Sequence, residues 1–291
     1  MEYILHLLVV LSIYAILATS LDILVGHMGV LSVAHAAFYG VGAYVATLAV
    51  LALRLPFVVA AMLAVVVGVV LCALISLPAA NLRDDSLVIA TLCVQVVASS
   101  VFVNWEGLTR GAQGIRGIPP PVLLGVSFAG PGRFAVLSGL AAIVAVTLAR
   151  RTTSGPFGRL LHAIREDEVV VLCAGKRPAI VKIVVLCFAA GLAALAGSLF
   201  AGYSGYVSPT SFGLLESVLI LSMVIVGGPG GVWGPLGGVL LLVLFPEALR
   251  FVGIPANVAS EVRQILFGLL LIVVTIFHGE SGLAPGRVLR K

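Results

Sequence analysis

The sequence predicts an all-α protein, a polytopic bundle of transmembrane helices, on three observations. First, of 291 residues 61% are hydrophobic and only 10% are charged, and the mean hydropathy is +1.21. A soluble domain carries roughly 25% charged residues, so this chain lacks the charge to cover a water-facing surface. Second, the apolar residues fall in long unbroken runs such as Val58 to Leu77, each near the ~20 residues that cross a bilayer as a helix. Third, the alternating apolar and polar pattern of a membrane barrel is missing. In hydrocarbon every backbone N–H and C=O needs an internal partner, and with the barrel excluded only helices meet that need.

The apolar runs, taken in order, give nine expected spans: Ile4–Leu24, Val30–Leu53, Phe57–Leu77, Ser86–Asn104, Phe134–Ala149, Val181–Gly202, Phe212–Val226, Val232–Leu249 and Arg263–Phe277. The first run has no cationic stretch before it and exceeds a signal peptide's apolar core, so it reads as a retained helix. Two polar stretches interrupt the spans within one domain over residues 1–291: Trp105 to Arg133, rich in Gly and Pro, and Arg150 to Ile180. Cys72, Cys93, Cys173 and Cys187 have no paired spacing and read as small buried hydrophobes.

Lysine and arginine set the expected orientation. Arg150, Arg151, Arg159, Arg165, Lys176 and Arg177 lie in the second polar stretch, and Arg287, Arg290 and Lys291 lie in the tail. Four spans separate these two segments, so they share a side, the cytoplasm. The N-terminus and the Trp105–Arg133 segment then face outward. The net charge of +5 reports orientation rather than nucleic-acid binding.

Glycine punctuates the chain, with 33 residues. The run Gly227-Gly228-Pro229-Gly230-Gly231 cannot continue an ordinary helix, and is either a tight turn or an unwound segment lining a cavity. Gly26-His-Met-Gly29-Val-Leu-Ser32 and Gly228-Pro-Gly230-Gly-Val-Trp-Gly234 are faintly alike and both precede apolar helices. That hints at an internal repeat of the kind transporters use.

The Arg150–Ile180 stretch is the most informative. After the turn residues Gly155 and Pro156, the segment Gly158 to Gly175 places Leu160, Leu161, Ile164, Glu168 and Leu172 at helical spacing. It predicts one short amphipathic helix ended by Gly175 in a left-handed cap. Such a helix is either a solvated connector or a docking element. In the second case its apolar face enters a groove on a cytoplasmic partner, and Arg159, Arg165 and Glu166 fix the register.

These residues carry a resemblance. The block Leu24 to Tyr44, with Gly26, Gly29, Leu31-Ser32 and His35-Ala-Ala-Phe38, resembles the membrane subunits of branched-chain amino-acid ABC importers, the LivM type. So do Asn104-Trp-Glu-Gly-Leu-Thr, Gly114-Ile with Gly117-Ile-Pro119, and Phe157-Gly-Arg159 with Ala163-Ile-Arg-Glu-Asp-Glu168 and Gly175. Tyr206-Val-Ser-Pro-Thr-Ser-Phe212, Glu216-Ser217 and Gly227-Gly228 through Trp233-Gly-Pro235 complete the series, in family order over nearly the whole chain. The resemblance implies half of a transporter in the bacterial inner membrane. Its partners would be a second related permease, two ATPase subunits and a periplasmic substrate-binding protein. The resemblance also makes Gly158, Arg159, Ala163, Ile164, Arg165, Glu166, Asp167, Glu168 and Gly175 the ATPase-coupling helix. The chain departs from the family pattern at Val169-Val-Val-Leu-Cys173, at Lys176-Arg-Pro178, and at Ala34, where a glycine usually precedes the histidine.

The sequence contains no Gly-x-x-x-x-Gly-Lys-Ser/Thr loop and no H-E-x-x-H. No catalytic role, metal or cofactor is expected, and energy must come from a partner or an ion gradient. Polar residues within apolar runs are costly and tend to be placed for a reason. Asp22, near a helix end, and Glu216, one turn into its span, serve packing or an interface, or else the solute path. His35 and Gln95 bond a neighbouring helix or contact solute, so His35, Gln95 and Glu216 are the candidate pathway residues. Trp105 suits an interface or a docked binding protein. Two rival functions remain open: an ion-driven secondary transporter recruiting Asp22 or Glu216, and a membrane enzyme acting on lipid.

Overall fold

The computed structural model describes residues 2–79, 84–123, 126–128 and 130–250, together with Gly268. The described residues form an all-α bundle. Its helices are α1 (Glu2–Asp22), α2 (His35–Leu51), α3 (Phe57–Ala79), α4 (Asp84–Asn104), α5 (Glu106–Thr109), α6 (Pro131–Thr153), α7 (Pro156–Glu166), α8 (Glu168–Cys173), α9 (Pro178–Ser204), α10 (Leu214–Gly227) and α11 (Trp233–Arg250). Four two-residue strands complete it: β1 (Ile115–Arg116), β2 (Val122–Leu123), β3 (Val126–Ser127) and β4 (Tyr206–Val207). A π-helical turn, Ile23–Met28, prolongs α1 until Gly29 at φ +77° ends it in the left-handed region.

Five described helices are long and apolar enough to cross a membrane: Glu2–Met28, Phe57–Pro78, Ser86–Asn104, Pro131–Thr153 and Pro178–Ser204. The apolar helices His35–Leu51, Leu214–Gly227 and Trp233–Phe245 are shorter. Eight of the nine expected spans thus fall on helices, and the ninth, Arg263–Phe277, lies outside the described residues except Gly268. Two expected spans need correcting. Val30–Leu53 is helical only from His35, because the left-handed Gly29 ends α1 and the chain runs on without helix to Ala34. Phe212–Val226 is helical only from Leu214, because Pro209–Phe212 is a 3₁₀ turn and Gly213 is extended.

Packing separates a buried centre from an apolar rim. Small residues on α9, including Ala189, Ala190, Ala193, Ala194 and Gly197, are buried. They let α9 meet α2 backbone to backbone, where a Cβ on Gly42 would collide with Ala194 and one on Gly197 with Tyr39. Close approach through small residues is the usual device where hydrocarbon offers no hydrophobic drive. Around this centre α3, α4 and α6 leave Met62, Val66, Leu74, Ile89, Val97, Val136, Leu140 and Ile143 exposed. A soluble monomer rarely shows so continuous an apolar surface, and a bilayer is the solvent that tolerates it. Of the cysteines expected inside, Cys72 is buried and Cys187 half-buried, whereas Cys93 on the α4 rim and Cys173 on α8 are exposed. A run's mean hydropathy does not say which side of a helix meets its neighbours.

One end of the bundle carries the Trp105–Arg133 segment, the other the Arg150–Ile180 segment. At the first end β1 pairs antiparallel with β4, matching Ile115 to Val207 and Arg116 to Tyr206. The Arg116 guanidinium lies 5.3 Å from the Tyr206 ring centroid, and Tyr206 Oη donates to Gln113 O at 3.0 Å. Gly114, at φ +68°, has no room for a Cβ beside Val207 O. Two loops some ninety residues apart in sequence are therefore one structure.

The two short spans begin inside the bundle. His6 bonds Tyr203 at 2.6 Å near the β-strand end. At about 1.5 Å per helical residue, Tyr14 lies about 12 Å deeper than His6 along α1, and Ser20 about 21 Å deeper. Tyr14 Oη donates to Glu216 Oε1 at 2.7 Å, and Ser20 Oγ bonds His35 Nε2 at 2.7 Å. The first turn of α10 is therefore submerged by about 12 Å from the β-strand end, and that of α2 by about 12 Å from the other end, since Ser20 is eight residues short of Met28. Glu216, for which packing, an interface or the solute path was open, is level with the middle of α1.

Candidate functional site

Two sets of sequence-selected residues are gathered by the fold, one at the Arg150–Ile180 end and one at mid-depth. At the first, Gly155 is extended and Pro156 starts α7, its missing N–H falling where a helix has no internal partner. Gly158 allows α7 to close on α6, since a Cβ there would strike Thr153 O. Leu161 and Ile164 are buried, Leu160 is half-buried, and α7 packs on the end of α6 and on the π-helical turn of α1.

The expected single helix from Gly158 to Gly175 is two. Asp167 is extended (φ −160°, ψ 111°), and its Oδ1 accepts from Val169 N at 2.7 Å, capping α8. A side chain that bonds the backbone two residues on favours a cap over a helix interior. The break re-phases the apolar stripe. Leu172 is exposed, whereas Val171 is buried, and Glu168 pairs with Lys182 of α9, a side chain only 2% exposed. Gly175 does end α8 at φ +75°.

The apolar face of α7 is thus spent on the chain's own body and is not free for a partner groove, as the amphipathic pattern alone had suggested. What α7 and α8 leave outward is Arg159, His162, Ala163, Glu166 and Asp167, with Val169 64%, Val170 63% and Leu172 55% exposed. Arg165 also has a different role. Its Nη1 donates to Gly26 O at 2.7 Å, and its hydrocarbon stem lies against Gly29. It binds α7 to the end of α1.

The same turn of α1 meets the glycine-rich run. Gly228 (φ +90°) and Gly230 (φ +96°) make that run a turn between α10 and α11. Gly230 N donates to Asp22 Oδ1 at 2.8 Å, and a Cβ on Gly26 would collide with Gly230 N and Asp22 Oδ1. The carboxylate is 3% exposed, and its other oxygen lies 3.5 Å from His27 Nδ1. The His27 ring lies 5.3 Å from that of His162 on α7. The two similar glycine blocks are in direct contact here through Gly26 and Gly230, and the Asp22–Gly230 bond beside them spans 208 residues, a pairing that no local pattern could announce.

At mid-depth the N-terminus of α2 is satisfied by side chains. Ala36 N donates to Ser217 Oγ at 2.9 Å, and Ala37 N to Gln95 Oε1 at 2.8 Å. Gln95 Nε2 donates to Phe212 O at 2.8 Å, and Ser217 Oγ to Gln95 Oε1 at 3.2 Å. First-turn N–H groups have no helical partners, and water is not at hand in hydrocarbon. His35 and Gln95 therefore belong to one bridge between α1, α2, α4 and α10, and Glu216 adjoins it. Above the bridge, Phe212 meets the rings of Tyr39, Tyr44, Phe102 and Phe200 at centroid distances of 5.0–6.3 Å. Of His35, Gln95 and Glu216, none lines the apolar cavity of about 220 Å³ that Ser32, Phe38, Cys72, Leu87, Thr91 and Leu186 help to bound.

Sequence reasoning selected Asp22 but not its partner. It passed over Ser20 and Tyr14, whose only signal was polarity within an apolar run, and Ser217 was named only through the resemblance.

Comparison with known proteins accords with this architecture. Residues 3–275 match the family described as branched-chain amino acid transport system / permease component. The chain is 30% identical to the high-affinity branched-chain amino acid transport system permease protein LivM of Salmonella typhimurium, over 94% of this chain and 68% of the relative. It is 28% identical to the probable branched-chain amino acid transport permease protein LivM of Methanocaldococcus jannaschii, over 78% and 68%. It is likewise 28% identical to the autoinducer 2 import system permease protein LsrC of Salmonella typhi, over 79% and 71%. No solved structure matches it. With the family pattern running through nearly all of it, the chain belongs to the branched-chain amino acid transport permease family.

Proposed function

We propose that this chain is one permease subunit of an ATP-driven importer for branched-chain or related amino acids, forming one domain in a bacterial inner membrane. The observation that carries the reading is the anchoring of α7. Its apolar face and Arg165 bind the bundle, while charged residues and three exposed apolar side chains of α8 face away. An element held firmly from behind and adhesive in front suits the receipt of force from a soluble ATPase. Arg159, Ala163, Glu166 and Asp167 would set register, and Val169, Val170 and Leu172 would supply burial.

In this reading the Arg150–Ile180 side is cytoplasmic, the N-terminus is outside, and nine spans complete the topology. A second related permease supplies the other wall of the path, and two ATPase subunits work from below. The Trp105–Arg133 segment, stitched through β1 to β4 of a later loop, receives a periplasmic binding protein. His35, Gln95 and Glu216 mark the depth at which solute passes, with the Phe212 ring cluster above them. The permease contributes two helix packings of similar energy, biased from either end.

The test is co-purification with a P-loop ATPase, followed by uptake of a panel of labelled solutes by the reconstituted complex. The Val169→Glu, Val170→Glu variant should lose the ATPase, and uptake should cease on ATP depletion. Uptake that continues without ATP and stops when an ion gradient is collapsed would establish the secondary-transporter reading instead.

A further inference from the structure

Force arriving on α7 must reach the helices that bound a path, and the geometry supplies the connection. α7 holds the end of α1 through one directed hydrogen bond, Arg165 Nη1 to Gly26 O at 2.7 Å. One turn earlier on α1, Asp22 holds the turn between α10 and α11 through Gly230 N at 2.8 Å. Between these bonds the backbones of Gly26 and Gly230 touch, with no room for a Cβ on Gly26. Three elements thus converge on residues 22–29, and that segment is wound as a π-helix ended by a left-handed glycine. Single π-turns are rare and recur at functional positions.

We propose that Asp22 and Arg165 are positioning residues for coupling: together they make α7, the end of α1 and the α10–α11 turn move as one body. Motion of the middle loop is thereby delivered to a pair of membrane helices and not to α1 alone. The proposal rests on α7 being the coupling helix. Asp22 acts here as an acceptor for an N–H, so an amide oxygen can replace the carboxylate. Arg165 acts through its guanidinium, since its stem only fills space over Gly29.

The experiment uses the full reconstituted complex with loaded binding protein, measuring ATP hydrolysis and solute uptake together. Asp22→Ala is expected to lower uptake per ATP hydrolysed about tenfold, whereas Asp22→Asn, which keeps the acceptor, stays within about twofold of the parent. Arg165→Met keeps the stem, loses the donor and should reproduce the alanine phenotype, and the double variant should be no worse than either single one. A merely structural role would lower uptake and hydrolysis in proportion to the complex recovered. The proposal is overturned if Asp22→Ala transports with parental efficiency, or if Asp22→Asn is as impaired as Asp22→Ala. Should Asp22→Ala fail to assemble, Arg165→Met, altered at an exposed position, decides: loss of efficiency supports the link and parental efficiency removes it. Failure of the coupling-helix reading shows differently, as an ATPase still bound to the Val169→Glu, Val170→Glu variant.

Discussion

Gln95→Leu tests whether a single amide holds the buried start of α2 in place. The side chain is fully buried and touches three elements: it accepts from Ala37 N and Ser217 Oγ and donates to Phe212 O. Leucine removes these three bonds between elements, and a long one to Ser99 Oγ within α4, with little change in volume. Ala37 N keeps a backbone bond to Ala34 O at 3.1 Å, so the loss falls chiefly on the Phe212 carbonyl and the Ser217 hydroxyl. In a soluble core each orphaned group would cost about 1–3 kcal/mol. Membrane proteins give less, about 0.6 kcal/mol for an average side-chain bond, because a helix unpacked in lipid finds other partners. Three bonds, two of them at 2.8 Å, place the expected loss at about 2 kcal/mol on that scale. Equilibrium unfolding in mixed micelles would measure it, with Gln95→Glu as control. The glutamate keeps the acceptor, but it loses the donor and adds a charge worth about 2.5–3.5 kcal/mol near the bilayer centre, so it should be the worse variant. A leucine variant within about 0.5 kcal/mol of the parent would refute the claim that the amide bridges α2, α4 and α10.

Other perturbations have equally definite outcomes. Leu161→Ala should cost about 2–5 kcal/mol and expose α7 to proteolysis at Arg159 and Arg165, read as faster cleavage in membrane vesicles. Lys182→Met leaves a carboxylate that is 40% exposed and should cost about 1 kcal/mol or less, whereas Glu168→Gln, which takes that carboxylate from the buried Lys182 ammonium, should be the costlier change in a thermal unfolding series. Gly42→Leu should abolish folded protein by forcing α2 off α9, whereas Gly139→Leu on the exposed face of α6, with nothing near it, should leave size-exclusion profiles unchanged. Tyr14→Phe removes the hydroxyl on Glu216 and should destabilise by about 1 kcal/mol.

Much of this fold can be read from composition because hydrocarbon admits so few solutions. Ser86–Asn104 and Val181–Gly202 needed only counting, and Gly175 ended its helix where a left-handed residue was wanted. Counting failed at Val30–Ala34, which is as apolar as its neighbours yet not helical, because the decision lies with Gly29 and with partners on α4 and α10. It failed again at α10, whose start is set by Pro209 and Gly213 and whose depth is set by Tyr14, over 200 residues away. The middle loop was legible as amphipathic and as the place to look. Which of its faces was already occupied was not, since burial of Leu161 and the reach of Arg165 to Gly26 are settled by packing between distant segments.

The backbone contact of α2 with α9 has a mechanical consequence. Where Gly42 lies on the Ala194 backbone and Gly197 on that of Tyr39, the two helices touch with no side chain between them, so sliding one along the other would drive these backbones against the neighbouring side chains. The pair therefore acts as a stiff strut, and any rearrangement of the protein must hinge or slide along its other seams.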